Sequence, residues 1–217
     1  MHRNTQALFR KFATSYFRPG LKVLEIGPND TPSDLEKMVE TPDHPWDSLD
    51  IDRGYERNVT YLTKDPYKFP IEDASYDIIV SSSVIEHVQK IWLWVPELAR
   101  IVRPGGWIVT ISPISWEYHE DPVDCWRIYP DGMKALCDDS GLKVVLCEWD
   151  ALGISALRRL GGTIQLWQKL SGILNLMHWK LGFPGEAAFD LITICQKPQT
   201  DQSVAGTKPS VGISNAL

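Results

Sequence analysis

The chain has 217 residues, 43% of them hydrophobic, and a formal net charge of −6. That size and composition fit one soluble globular domain with room for an appendage, and the acidic balance argues against a general nucleic-acid binder, which carries a basic surface. No run of about 18 apolar residues occurs, Met1 to Arg18 lack an apolar core segment, and Cys125, Cys137, Cys147 and Cys195 form no C-x-x-C pair; a spanning helix, a secretory signal, a zinc site and a disulfide framework are therefore not expected, and reduced thiols in a cytoplasm are.

In chain order, Thr5 to Tyr16 place Leu8, Phe9, Phe12 and Tyr16 at helical spacing, and Pro19-Gly20 end that helix. This N-terminal unit, 1–20, is expected to act as a lid. Lys22 to Ile26 are an apolar strand with one acid, Glu25, running into the turn Gly27-Pro28-Asn29-Asp30. Leu35 to Val39 predict a short helix, Trp46 to Asp52 a strand ending in carboxylates, and Val59 to Thr63 a third strand ending near Asp65. Tyr76 to Ser81 are nearly all apolar, as a strand buried on both faces should be. Val84 to His87 begin a helix expected to continue through Trp92 to Val102 with an interruption at Pro96, before the turn Arg103-Pro104-Gly105-Gly106. Trp107 to Ile111 are a fifth buried strand, stopped by Ser112-Pro113. Pro130 to Ser140 predict a helix, with proline allowed in the first turn and Gly141 at the end. Leu142 to Glu148 and Phe189 to Gln196 are the last strands, and the polar tail from Pro198 to Leu217 is expected to be disordered. Strands alternating with helices give a mostly parallel, doubly wound α/β sheet.

The turn after the first strand bears on the ligand. A strand, turn, helix and second strand ending in an acid form half of a nucleotide-binding sheet, and Asp50 lies 23 residues after Gly27. A pyrophosphate needs several glycines near the helix N-terminus, but after Gly27 no glycine occurs until Gly54. A dinucleotide, and with it a nicotinamide oxidoreductase, is thereby disfavoured. S-adenosylmethionine (SAM) has a ribose and no phosphate; it asks for an acid on the ribose and a turn that admits its methionine end, where Asn29 could adopt a left-handed conformation.

The stretches Val23-Leu24-Glu25-Ile26-Gly27, Asp50, Phe69 to Asp77, Ser83-Val84-Ile85-Glu86-His87-Val88 and Leu98 to Trp107 together resemble a class I SAM-dependent methyltransferase of the broad group (methyltransferase type 11-like) acting on small molecules, lipids and glycans. The resemblance covers Leu21 to Lys197 and departs at Pro28 to Thr31. It implies a Rossmann-like seven-stranded sheet with an antiparallel last strand, a SAM-binding core over 21–150 and 186–197, and SAM as cofactor. Glu25, Gly27 and Asn29 would lie near the methionine end, Asp50 and Ile51 at the ribose, Asp65 and Pro66 at the adenine, and Ser82 and Ser83 beside the methionine moiety. Asp52 is expected to be a solvated turn acid. His87, past the fourth strand, is a candidate general base.

The loop Ser115 to Tyr129 resembles an H-x-x-P-x-D-x-W-R stretch of relatives that modify sugars and glycan precursors, here with His119, Pro122, Asp124, Trp126 and Arg127. His119 is a second candidate base. Trp126 could stack on a sugar, Arg127 could hold a carboxylate or phosphate, and Tyr129 completes the candidate substrate set; an internal Arg127–Asp124 or Arg127–Asp121 pair is the alternative. No metal site is expected, since no i, i+4 ligand pair is present. The segment 151–185 carries Arg158, Arg159, Lys169 and Lys180, no acid, and apolar residues at helical spacing. It is read as an amphipathic helical insertion, a cap or dimer interface, with an anionic membrane surface or lipid-linked substrate as the other option. The resulting expectation is a cytoplasmic methyltransferase, with membrane association as a further option. Its acceptor would be a hydroxyl of a small molecule, a sugar or a glycan- or lipid-linked precursor, with no nucleic-acid partner. The alternatives are a SAM-binding regulatory protein without turnover and a peripheral membrane module.

Overall fold

The computed structural model describes residues 3–39, 45–51, 58–150 and 189–199. Asp52, the basic insertion 151–185 and the tail from residue 200 onward lie outside the described residues. The strands are β1 (Val23–Ile26), β2 (Trp46–Ile51), β3 (Tyr61–Thr63), β4 (Tyr76–Ser82), β5 (Val102–Ser115), β6 (Lys143–Asp150) and β7 (Phe189–Gln196). They form one sheet in the order β3-β2-β1-β4-β5-β7-β6. The first five are parallel, and β7 runs antiparallel to both β5 and β6. This is the Rossmann-like α/β sheet expected from the strand pattern.

Both faces are covered, which is why β1 and β4 read as apolar runs. On one face Leu8, Phe9, Ala13 and Phe17 bury against Val23, Ile78, Val80, Val109 and Ile192. The first two of these come from α1 (Arg3–Phe12). Asn4 and Thr5, at the start of α1, donate to the buried carboxylate of Asp190 on β7 at 2.8 and 3.2 Å. The short helix α2 (Asp34–Met38) adds Leu35 to this face. On the other face Trp94, Val95, Leu98 and Ile101 of α3 (Ile91–Ile101) and Met133 and Cys137 of α4 (Pro130–Asp139) pack on Leu24, Ile26, Ile79 and Ile108.

Several boundaries differ from the sequence expectation. The first helix ends at Phe12 and a single 3-10 turn covers Thr14–Tyr16. No helix continues from Val84; Ile85–His87 are one 3-10 turn, and α3 begins at Ile91. Pro96 lies inside α3 without ending it, because Pro96 and Trp92, whose carbonyl it leaves unbonded, are both exposed to solvent. Strand β5 runs past Pro113 to Ser115, with a register shift between Pro113 and Ser115 that accommodates the missing N–H.

Candidate active site

The chain leaves β1 for β2 and β3 on one side, then crosses to β4 and β5 on the other, so the strand order reverses between β1 and β4. Crevices at such switch points, outside the carboxyl ends of the strands, are where open α/β sheets bind ligands. Gly27 ends β1 at φ 67°, and its N–H donates to Leu49 O on β2 at 2.9 Å. A Cβ built on Gly27 would meet Val84 Cγ2 at 2.6 Å. The position therefore demands glycine twice, for its left-handed backbone and for the approach of the segment after β4. Ser83, on the other lip, is also left-handed, at φ 54°, and its N–H donates to Ile111 O at 2.9 Å. Asn29 is exposed and takes no left-handed conformation; Gly27 carries the turn alone.

The acids differ in setting. Asp50 is buried at the end of β2, with Oδ1 accepting from its neighbour Ile51 N–H at 2.7 Å. Asp65 is exposed beyond β3 and accepts from Tyr67 N–H at 2.8 Å, an Asx turn around Pro66. Glu25 pairs in register with Ser48 on the face that α1 and α2 cover. Its carboxylate accepts from Ser33 Oγ at 2.5 Å and Trp46 Nε1 at 3.0 Å, and burial pushes its pKa up to about 7 against those two bonds. The structure thus uses Glu25 to tie the loop before α2 to β2.

Gly27, Asp50, Ser82 and Ser83 come together along the switch-point edge. Whether a SAM molecule suits them is answered by the cradle itself: a turn on which no side chain can stand, a buried acid on the adjacent strand, and a Ser82 Oγ that is buried with no hydrogen-bond partner among the described residues. These groups fit a ribose and the polar end of an amino acid.

Next to this cradle lies a polar corner that the sequence suggested only in part. Glu86 is 1% exposed, and neither carboxylate oxygen has a hydrogen-bond partner among the described residues. Burial pushes its pKa up to about 8, with Arg127 pulling the other way. His87 Nδ1 lies 2.6 Å from Val123 O, and His119 Nδ1 lies 3.0 Å from Glu117 O. The two imidazoles meet edge to face with centroids 5.0 Å apart.

The post-β5 loop is laced onto this corner. Cys125 and Trp126 N–H both donate to Glu86 O, at 2.8 and 3.2 Å, and Trp126 Nε1 donates to Val88 O at 2.8 Å. Arg127 grips Asp124 with both guanidinium nitrogens, at 2.5 and 2.7 Å, and also donates to Glu117 O and Trp126 O. Asp124 Oδ2 in turn accepts from His119 N–H at 2.9 Å. The Arg127 fork holds the Asp124 carboxyl down at about 2. Of the two roles open to Arg127 in the sequence, the structure displays the internal pair. Trp126 is half-buried against Trp92, and Tyr129 is exposed. Sequence reasoning singled out both histidines but not Glu86. The signal available was an acid beside a histidine shortly after a nearly all-apolar strand.

The comparisons with known proteins bear on the fold and on part of the chain. Residues 38–110 match the family described as "Methyltransferase domain". The norajmaline N-methyltransferase of Rauvolfia serpentina is 27% identical over 101 residues, which are 45% of this chain and 34% of that protein. Among solved structures, phosphoethanolamine N-methyltransferase 2 of Haemonchus contortus, in complex with S-adenosyl-L-methionine, superposes with a TM-score of 0.54 and 13% identity, covering 90% of this chain and 52% of that one. The [4+2]-cyclase SpnF superposes equally well, at 0.54 and 12% identity over 88% of this chain and 81% of that one. The chain thus spans about a third of the plant relative and half of the Haemonchus protein. No helix among the described residues is long and apolar enough to cross a membrane.

Proposed function

We propose, from the chain's place among the class I SAM-dependent methyltransferases, that it binds SAM at the β1–β4 switch point and methylates a hydroxyl oxygen of a small molecule, a sugar or a glycan- or lipid-linked precursor. SAM, when bound, supplies a sulfonium methyl group and a neutral thioether leaving group. Asp50 accepts hydrogen bonds from the ribose hydroxyls, Asp65 and Pro66 flank the adenine, and Gly27, Ser82 and Ser83 border the methionine end. Much of the rate comes from positioning, so the residues that differ between methyltransferases are those around the acceptor.

The observation that carries the choice of a hydroxyl acceptor is the corner formed by Glu86, His87 and His119. An amine or thiol acceptor at neutral pH asks little help in losing its proton, whereas an alcohol does. One ligand-capable atom from each of the three side chains lies within 4.8 Å of the other two, and the loop bearing Trp126 is bonded to the same turn at Glu86 O and Val88 O. The test is turnover with SAM on parallel panels of sugars, nucleotide sugars and lipid-linked glycans against amines and thiols, read by mass spectrometry. An O-methylated product formed in step with the demethylated cofactor supports the reading. An N- or S-methylated product would replace the acceptor class, and cofactor binding with no product in any panel would favour a regulatory SAM-binding protein. Membrane attachment through 151–185 is tested separately by flotation with vesicles of anionic and neutral lipid.

A further inference from the structure

We infer that Glu86, His87 and His119 form a binding site for a divalent first-row transition-metal ion, with Zn²⁺ as the ion its ligands match best. The inference rests on the proposed reaction for its purpose and on geometry for its existence. One ligand atom from each of the three side chains lies within 4.8 Å of the other two. The Glu86 Oε1 to His87 Nε2 separation is 4.0 Å. That is too long for a shared hydrogen bond; two ligands of one tetrahedral ion at ~2.0–2.2 Å each stand about 3.4 Å apart, so the pair needs to close by only about half an ångström to hold one.

The tautomers follow from the partners. A backbone carbonyl can only accept, so Nδ1 of His87 carries its proton toward Val123 O and Nδ1 of His119 carries its proton toward Glu117 O. Nε2 is then the nitrogen of each ring available to a metal. The Nδ1 of His119 also lies 3.5 Å from the Asp124 carboxylate, which the Arg127 fork fixes in place. Ligating histidines are characteristically oriented this way, through a carbonyl or carboxylate on the far nitrogen. The third group, Glu86, is fully buried and has both oxygens without a hydrogen-bond partner among the described residues. Two imidazoles and a buried carboxyl group without a hydrogen-bond partner among the described residues are gathered within ligand reach of one another, and a cation would satisfy all three. Two imidazoles, one carboxylate and an open fourth position are a catalytic zinc set; Mg²⁺ and Ca²⁺ prefer oxygen alone.

The ligands come from two segments, the 3-10 turn after β4 and the loop after β5, which are already joined at Glu86 O. The ion would take the acceptor hydroxyl as its fourth ligand and lower its pKa. The O–H bond breaks with its proton passing to solvent, and the oxygen electron pair forms the new O–C bond as the S–C bond breaks. The histidines then serve as ligands, and neither acts as the base.

The test uses the full chain, stripped with a chelator, in a Cys125→Ser background that removes the exposed thiol. Zn²⁺ and Co²⁺ are titrated by calorimetry, and the Co²⁺ absorption spectrum is recorded. The expected result is one equivalent bound, visible d–d bands without thiolate charge transfer, and at least a tenfold loss of affinity in Glu86→Gln and in His119→Ala. Circular dichroism identifies any variant that has failed to fold, and the half-buried His119 is the safer of the two. Affinity unchanged in both folded variants, or a thiolate band, would overturn the site. SAM titration of the same samples separates the two ideas: SAM binding without metal sinks this inference alone, and metal binding without SAM sinks the proposed reaction alone.

Discussion

The two lips of the cleft are built differently. On the β1–β2 side the design is spare: a left-handed glycine, a buried acid and backbone hydrogen bonds. On the β5 side, side-chain bonds join the backbone ones, from Arg127 to Asp124, Asp124 to His119 N–H and Trp126 to Val88. The first lip is made by topology and works for any ligand with a ribose. The second is made by particular residues, and it is where the proposed function locates the acceptor.

That contrast can be broken in a definite order. The largest effect is expected from Arg127→Ala, which leaves the buried Asp124 carboxylate (2% exposed) unpaired. Removing one member of such a pair costs about 3 kcal/mol, the low end of the usual range because Arg127 is itself partly exposed. Thermal unfolding should fall accordingly, while SAM affinity of the folded fraction stays within about threefold (under 1 kcal/mol) of the parent. A large loss of SAM affinity would mean that the two lips are not independent.

Glu25→Gln comes next and has an unusual sign. Burial raises the native pKa to about 7 from 4.5, so between those values the unfolded chain ionises first and stability falls as pH rises. Above pH 7 the native carboxylate carries its full penalty, on the order of 2–3 kcal/mol. The glutamine variant should match the parent near pH 4.5 and exceed it at pH 8; equal melting temperatures at both would show that Ser33 and Trp46 fully offset the burial. Gly27→Ala should follow, at about 2 kcal/mol for a left-handed alanine that must also displace Val84. It should weaken SAM binding while leaving metal affinity unaltered, whereas Arg127→Ala should leave SAM binding nearly unchanged. The smallest shift is expected from Trp126→Phe, which deletes the Nε1–H bond to Val88 O at about 1 kcal/mol, read as a modest rise in acceptor KM.

The fold was legible because its strands are apolar runs separated by glycine and proline turns; all seven were found in order, and Pro130 and Gly141 bound α4 as their chemistry predicts. The misplaced ends have local causes. Pro96 was read as a break because the sequence does not show that its freed carbonyl partner faces water. Pro113 was read as a stop because a register shift is invisible before pairing is known. The positions of Gly27 and Asp50 at the ends of neighbouring strands were legible from spacing, since topology alone brings those ends together. The meaning of His119, Asp124 and Arg127 was not, because residue types in a loop do not say which bonds form. Nor could Glu86 be distinguished from a surface acid without its burial.

The central claim, a SAM site at the β1–β4 switch point, is tested most directly by calorimetric titration of SAM and its demethylated product into the parent chain and Asp50→Ala. The account predicts micromolar binding by the parent and at least a tenfold weaker affinity in the variant, since the buried Asp50 is the acid assigned to the ribose hydroxyls. A folded parent that binds neither ligand, or a variant that binds both as tightly as the parent, would contradict it.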